Sequence, residues 1–223
     1  MSPKKVLLLG VLLIVPVLVY LFLKVFGTNH YTLRTYMPAI EDTGEPVMQN
    51  GDTVFHKIPD FSLTAQTGKT VSQQNLQGKI YVANFFFASC KDVCKEMSSN
   101  LQQVQEAFIK EPNVKIVSYT VDPERDSVAV LSKYAETYGA NPDKWYLLTG
   151  PKSQIYQLAQ EGFKLPAMQA PSLIPDFIHS EKLLLIDEEK HVRGIYNGTD
   201  EEDVERLITE IKVLLQERKQ HVN

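Results

Sequence analysis

The chain has 223 residues, a net charge of −4 and 43% hydrophobic residues, with acidic and basic side chains interleaved. No basic stripe argues for nucleic acid. Two cysteines in a chain of this size cannot be a disulfide framework, so they are a local pair for redox chemistry or for a metal.

The first thirty or so residues stand apart. Lys4 and Lys5 precede an uncharged, mostly apolar run from Val6 to Leu23, and Val25-Phe26 extend it past Lys24. The run is near the lower length limit for a bilayer-spanning helix. No small-residue cleavage site follows, so an uncleaved anchor is favoured over a cleaved signal. Lys4 and Lys5 place the N-terminus on the cytoplasmic side and the rest of the chain on the outer face, of periplasmic or intermembrane-space type. Thiols oxidise there unless something reduces them. The reading divides the chain into a membrane anchor (1–27), a tether (28–53) rich in Pro and Gly, and one domain (54–223).

Within the domain, Val54 to Leu63 with the alternation Phe61-Ser62-Leu63, a turn over Thr64 to Gly68 and a connection over Val71 to Leu76 predict a small N-terminal hairpin. Ile80 to Phe87 is apolar on both faces apart from Asn84, which suits a central strand covered on both sides. The cysteines come next. Cys90, Cys94, Met97, Leu101, Val104 and Phe108 follow at steps of 4, 3, 4, 3 and 4, a single helical face. Val114 to Val121 predicts the next strand. Asp126 is placed to cap a helix whose inner face is Val130, Leu131, Tyr134 and Tyr138. A short strand from Trp145 to Leu148 and a helix from Ser153 to Glu161, closed by Gly162, come after it. Gly162 to Ser180, with Pro166, Pro171 and Pro175, shows no period, and a loop of that length in a compact domain is functional or disordered. Lys182–Ile186 and Val192–Tyr196 predict a hairpin. Thr199-Asp200-Glu201-Glu202 fits a capping box, and Val204, Leu207, Ile208, Ile211 and Leu214 mark the buried face of the last helix. Strand, helix, strand, helix, strand, helix, hairpin, helix is an α/β order. With right-handed crossovers it predicts a thioredoxin-like sandwich on a central mixed sheet, with an N-terminal hairpin and an N-terminal transmembrane helix.

Cys90 and Cys94 sit where a strand feeds a helix. Residues four apart on a helix lie about 5–6 Å apart at Cβ. The free N–H groups there and the positive dipole end favour thiolates. Such a pair can clamp a soft ion. It can also close a Cys90–Cys94 disulfide, since Cα atoms about 6 Å apart are in range. Both cysteines also continue an apolar stripe, and a free cysteine packs as a small hydrophobe. Their place at the turn argues against that bland role. His179 is the one histidine on the irregular loop that a thioredoxin-like fold brings opposite the cysteine turn. His30, His56, His191 and His221 read as surface residues. Cys90, Cys94 and His179 form a soft three-ligand set suited to Cu(I), with Met97 and Met168 as lesser thioether candidates. Zinc would want a fourth ligand.

These residues resemble the SCO/SenC family, membrane-anchored thioredoxin-like copper factors of cytochrome c oxidase assembly. The family's C-x-x-x-C falls on Cys90 and Cys94, and its distal histidine on His179-Ser180. Val121-Asp122-Pro123-Glu124-Arg125-Asp126 and Leu147-Leu148-Thr149-Gly150 also match, and the likeness covers about Val54 to Leu215. Lys95 stands where the family has proline, and Ile178 where aspartate is common. The resemblance implies Cu(I) as cargo. It implies an apo cytochrome c oxidase copper-site subunit, or its assembly factors, as partner. For Asp122, Arg125 and Asp126, turn shaping and capping is preferred over lining a copper entry. The competing reading is a metal-free thiol–disulfide oxidoreductase with Cys90 attacking and Cys94 resolving. Ala83 and Phe87 break the peroxiredoxin pattern, and a module with a dead site would tolerate loss of both cysteines.

Overall fold

The computed structural model describes residues 3–26, 32–41, 43–90, 93–165 and 181–221. They fall into two units, one up to Thr32 and one from Leu33 onward. The first is helix α1 (Pro3–Phe26). Its stretch Pro3–Phe22 is long and apolar enough to cross a membrane. The stretch is apolar all round, with Leu7, Leu12 and Phe22 exposed.

In the second unit, hairpin β1 (Met48–Gln49) and β2 (Asp52–Thr53) precedes β3 (Ser62–Ala65) and β4 (Thr70–Ser72). A 3₁₀ turn (Gln73–Leu76) leads to β5 (Ile80–Phe86), α2 (Val93–Ala107), β6 (Val114–Thr120), α3 (Val128–Thr137) and β7 (Trp145–Thr149). Then come α4 (Lys152–Gln157), a π turn (Leu158–Gly162), β8 (Lys182–Ile186), β9 (Val192–Asn197) and α5 (Glu201–His221). The main sheet runs β4-β3-β7-β6-β5-β8-β9. β5, β6 and β7 are parallel, from Ile80↔Val114 and Ile116↔Trp145 onward. β3 and β8 join them antiparallel. This is the expected thioredoxin-like α/β sandwich, and the predicted N-terminal hairpin is β3–β4 at the sheet's edge.

Every residue of β5 is buried because the sheet is covered on both faces. On one side Val82 and Phe86 meet Met97, Leu101 and Val104 of α2 and Leu207 and Ile211 of α5. On the other Tyr81, Ala83 and Phe85 meet Ile58, Phe61, Leu76, Ile155 and Phe163. Asn84, the polar exception, joins a buried chain. Trp145 Nε1–H donates to Ser118 Oγ at 2.8 Å, and Ser118 donates to Asn84 Oδ1 at 2.5 Å.

Three local details depart from the periodic reading. Ser127 caps α3, its Oγ accepting the Val130 N–H at 3.4 Å. That starting point turns Leu131 and Ala135 inward and leaves Val130 38% exposed. At α5 the cap is Asp200, whose carboxylate accepts the Glu202 N–H at 2.9 Å, while the Thr199 hydroxyl turns back to Asn197. The helix expected over 153–161 ends at Gln157 and continues as the π turn. Gly162 closes it against Pro59, where a Cβ would come within 3.0 Å of the ring.

Leu33 lies in the stretch read as a tether, yet it is buried in the core. Its N–H donates to Glu217 Oε1 at 2.7 Å, and its carbonyl accepts from Arg193 Nη2 at 2.7 Å. Arg193 also donates to Glu217 Oε2 at 2.9 Å, Asp187 Oδ2 at 3.2 Å and the Arg34 carbonyl at 3.2 Å. Tyr36 N–H reaches the Val192 carbonyl at 2.8 Å.

Candidate metal and thiol site

β5 delivers the chain to the edge of the sheet at Phe86, and a turn through Phe87, Ala88 and Ser89 presents Cys90, whose N–H donates to the Phe87 carbonyl at 3.2 Å. The apolar stripe predicted a helix beginning at the cysteines. Among the described residues the helix runs from Val93, with Cys94 near its start and Cys90 just before the two residues outside the described ones. The sulfurs still converge, because the first helical N–H groups have no intrahelical acceptor. Cys94 N–H takes Cys90 Sγ as acceptor at 3.3 Å. Both cysteines are free thiols.

The two differ in environment. Cys90 is half-buried, whereas Cys94 is 3% exposed. Burial pushes the Cys94 thiol up to about 12, with the hydrogen bond that Cys94 donates to Cys90 acting in the same direction and a backbone contact from Phe87 opposing. The negative charges available to Cys90 and Asp126 add to the rise. The helix start was expected to favour thiolate at both positions. At Cys94 desolvation of the charged form outweighs the dipole. Burial favours the protonated form of the inner sulfur.

Asp126 is a second difference from the capping reading. It is 2% exposed, and its Oδ2 accepts the Ala88 N–H at 2.9 Å and the Thr120 hydroxyl. It therefore ties the end of β6 to the turn that carries Cys90. Burial raises its pKa, and the bonds from Thr120 and Ala88 oppose the rise. A raised native pKa means that the folded state holds the proton longer than the unfolded one. The cost of the buried charge is absent below the unfolded value of about 3.9 and grows as pH rises through the native one. Asp126→Ala leaves Ala88 N–H unpartnered, which costs about 1–3 kcal/mol. Urea unfolding at neutral pH checks the size. The wild type should lose stability relative to Asp126→Ala on going from acid to neutral pH through that window. Asp122 shapes the turn as expected, accepting Arg125 Nη1 at 3.4 Å and bonding Thr120 Oγ1 through its N–H at 3.1 Å.

An aromatic wall flanks the thiols. Tyr134 lies 5.0 Å from Phe86 and 4.7 Å from Tyr138, centroid to centroid. Its hydroxyl donates to the Cys94 carbonyl at 3.3 Å and meets Ser98 Oγ at 2.7 Å. Burial pushes its pKa up. Helical periodicity places Tyr134 on an inner face, but nothing local points to its contact with Cys94.

Met97 is 1% exposed and packs its sulfur near Asn84 Nδ2, a core residue rather than a ligand. His56 hydrogen-bonds the Gly162 carbonyl at 2.8 Å, and His191 lies between Asp187 and Glu189 at 3.8 and 3.7 Å. His179, Met168 and His30 lie outside the described residues. Among the described residues no group of three His, Cys, Asp or Glu could hold a metal. The cysteine pair supplies two soft sulfurs, which fits a thiophilic monovalent ion completed by one more ligand.

The model of the family described as SCO1/SenC matches residues 50–216. The SCO1 protein homolog of Bacillus subtilis (strain 168) is 30% identical over 163 residues, which are 72% of this chain and 84% of that protein. BsSco, described as a member of the Sco family of cytochrome c oxidase assembly proteins with a disulfide switch, superposes with a TM-score of 0.61. It is 29% identical, over 71% of this chain and 93% of its own. Arabidopsis thaliana ScoI, solved with copper bound, gives a TM-score of 0.56 at 26% identity, over 69% of this chain and 97% of its own. A family match over residues 50–216, both cysteines included, on a sheet of the same fold, means that this chain belongs to the SCO1/SenC family.

Proposed function

We propose that the chain is a membrane-anchored copper-binding assembly factor. It delivers Cu(I) to the copper site of a cytochrome c oxidase, or keeps the thiols of that site reduced. The observation that carries the reading is the convergence of the chain's only two sulfhydryl side chains at one turn, Cys94 N–H against Cys90 Sγ at 3.3 Å. The copper-bound relative and the oxidase-assembly role of BsSco support it. Cys90, Cys94 and His179 are the ligands of this reading, and an apo oxidase copper-site subunit or its assembly factors the partner. Residues 1–27 serve as anchor and 54–223 as the outward-facing domain, and the stretch 28–53 between them packs Leu33 and Tyr36 onto that domain.

Cu(I) is cargo. Two sulfurs and one imidazole hold a soft ion by few bonds, so it can pass by exchanging one ligand at a time. Cys94 loses its proton on loading, Asp126 holds the turn, and the aromatic wall keeps water off the inner sulfur.

A second reading has its own observation. A half-exposed Cys90 beside a buried Cys94 with a raised pKa is the asymmetry of an attacking and a resolving thiol. A Cu(I) titration of the reduced chain separates the two. Tight one-to-one binding that weakens in His179→Ala and disappears in the Cys90/Cys94 double serine variant is expected. Binding indifferent to His179, or none, transfers the case to the oxidoreductase, and disulfide reductase assays then decide it.

A further inference from the structure

Cys94 has a tie that Cys90 lacks. The Tyr134 hydroxyl lies 3.3 Å from the Cys94 carbonyl oxygen and 2.7 Å from Ser98 Oγ. A carbonyl only accepts, so Tyr134 donates to Cys94 and Ser98 donates to Tyr134, and the Tyr138 hydroxyl shares the same Tyr134 hydrogen. Ser98 is 1% exposed, which puts this relay inside the domain. The carbonyl of a residue in the first helical turn already has an intrahelical N–H partner. The Tyr134 bond is therefore additional, and it joins α3 to the start of α2. The ring is held between Phe86 and Tyr138 whether or not its hydroxyl is present. Cys90 is half-buried. Among the described residues its backbone and sulfur bond within the turn itself, its N–H to the Phe87 carbonyl and its sulfur to the Cys94 N–H.

We infer that Tyr134 is a positioning residue that makes the two thiols unequal: its hydroxyl pins the backbone of Cys94, so that the pair opens and meets incoming thiols through Cys90. The inference deepens the copper-delivery reading and rests on it for its purpose. In a handover, the incoming thiolate's bond to copper forms as the bond from Cys90 Sγ to copper breaks. Copper remains Cu(I), and the proton given up by the incoming thiol ends on Cys90. Cys94 holds the ion until the second exchange.

The test uses the reduced, metal-free full-length chain in detergent, so its outcome is independent of whether copper binds. Timed alkylation with iodoacetamide is followed by peptide mass spectrometry, and cleavage after Lys91 and Lys95 puts the two cysteines on separate peptides. Tyr134→Phe keeps the ring and removes the hydroxyl. Cys94 should then label about tenfold faster, the factor that one lost hydrogen bond corresponds to, while Cys90 stays within about twofold. Ser98→Ala keeps the bond from Tyr134 to Cys94 and should leave both rates within about twofold. An unchanged Cys94 rate in Tyr134→Phe overturns the proposal. So does an equal rise at Cys90 and Cys94, which marks general loosening, or a Ser98→Ala effect as large as that of Tyr134→Phe.

Discussion

Cys94→Ser is expected to weaken Cu(I) binding by on the order of a few hundredfold to several thousandfold, one third of the roughly 10–16 kcal/mol that a complete thiolate and imidazole metal site contributes. A serine hydroxyl is a hard, neutral donor with no thiolate form at ordinary pH, so the soft ion loses a bond rather than exchanging it for a similar one. Cys90→Ser should also weaken binding, and its affinity should rise with pH. Burial holds the surviving Cys94 thiol up, so it must release a proton to bind. Around neutral pH the apparent affinity of Cys90→Ser should rise about tenfold for each pH unit. Competition against a coloured Cu(I) chelator between about pH 6 and 8 reads both effects. A pH-independent affinity in Cys90→Ser would contradict the assignment of Cys94 as the inner, protonated ligand.

Arg193→Ala is expected to cost about 3–5 kcal/mol, the range for breaking a buried ion pair by removing one partner. The Arg193, Asp187 and Glu217 side chains are 14%, 10% and 12% exposed, so little solvent is at hand to replace the guanidinium. Its loss leaves two carboxylates and the carbonyls of Leu33 and Arg34 without their shared donor. Urea unfolding should show the lowered midpoint. Amide exchange should accelerate first at Leu33 and Tyr36, whose N–H groups bond Glu217 and the Val192 carbonyl. A midpoint shift below about 1 kcal/mol would mean that the network is solvated enough to behave as a surface pair.

The elements that repeat regularly could be read from the chain. The apolar run Ile80–Phe86 is a strand buried on both faces, and Met97, Leu101 and Val104 are core at helical steps. The β8–β9 hairpin and the buried face of α5 through Val204, Leu207, Ile211 and Leu214 also lie where their patterns put them. Such patterns are visible because a side chain's direction repeats every 2.0 or 3.6 residues whatever surrounds it. Local chemistry was legible in the same way up to a limit. Asp126 and Thr199 have the right residue types for caps, and neighbours one position on, Ser127 and Asp200, took the role.

By itself, then, the sequence determined the order of elements, the two-faced burial of the central strand, the apolar helix at the N-terminus and the placing of both thiols where that strand turns into a helix. The tertiary structure decided which thiol is inner and which outer. It also tied Asp126 to Ala88, Tyr134 to the Cys94 carbonyl and Leu33 to Glu217, contacts that span 38, 40 and 184 residues of chain. A hydrogen bond between residues so far apart has no local periodicity to announce it. It forms because packing both faces of the sheet brings those groups out of water together, and a buried polar group left without a partner costs more than the bond contributes.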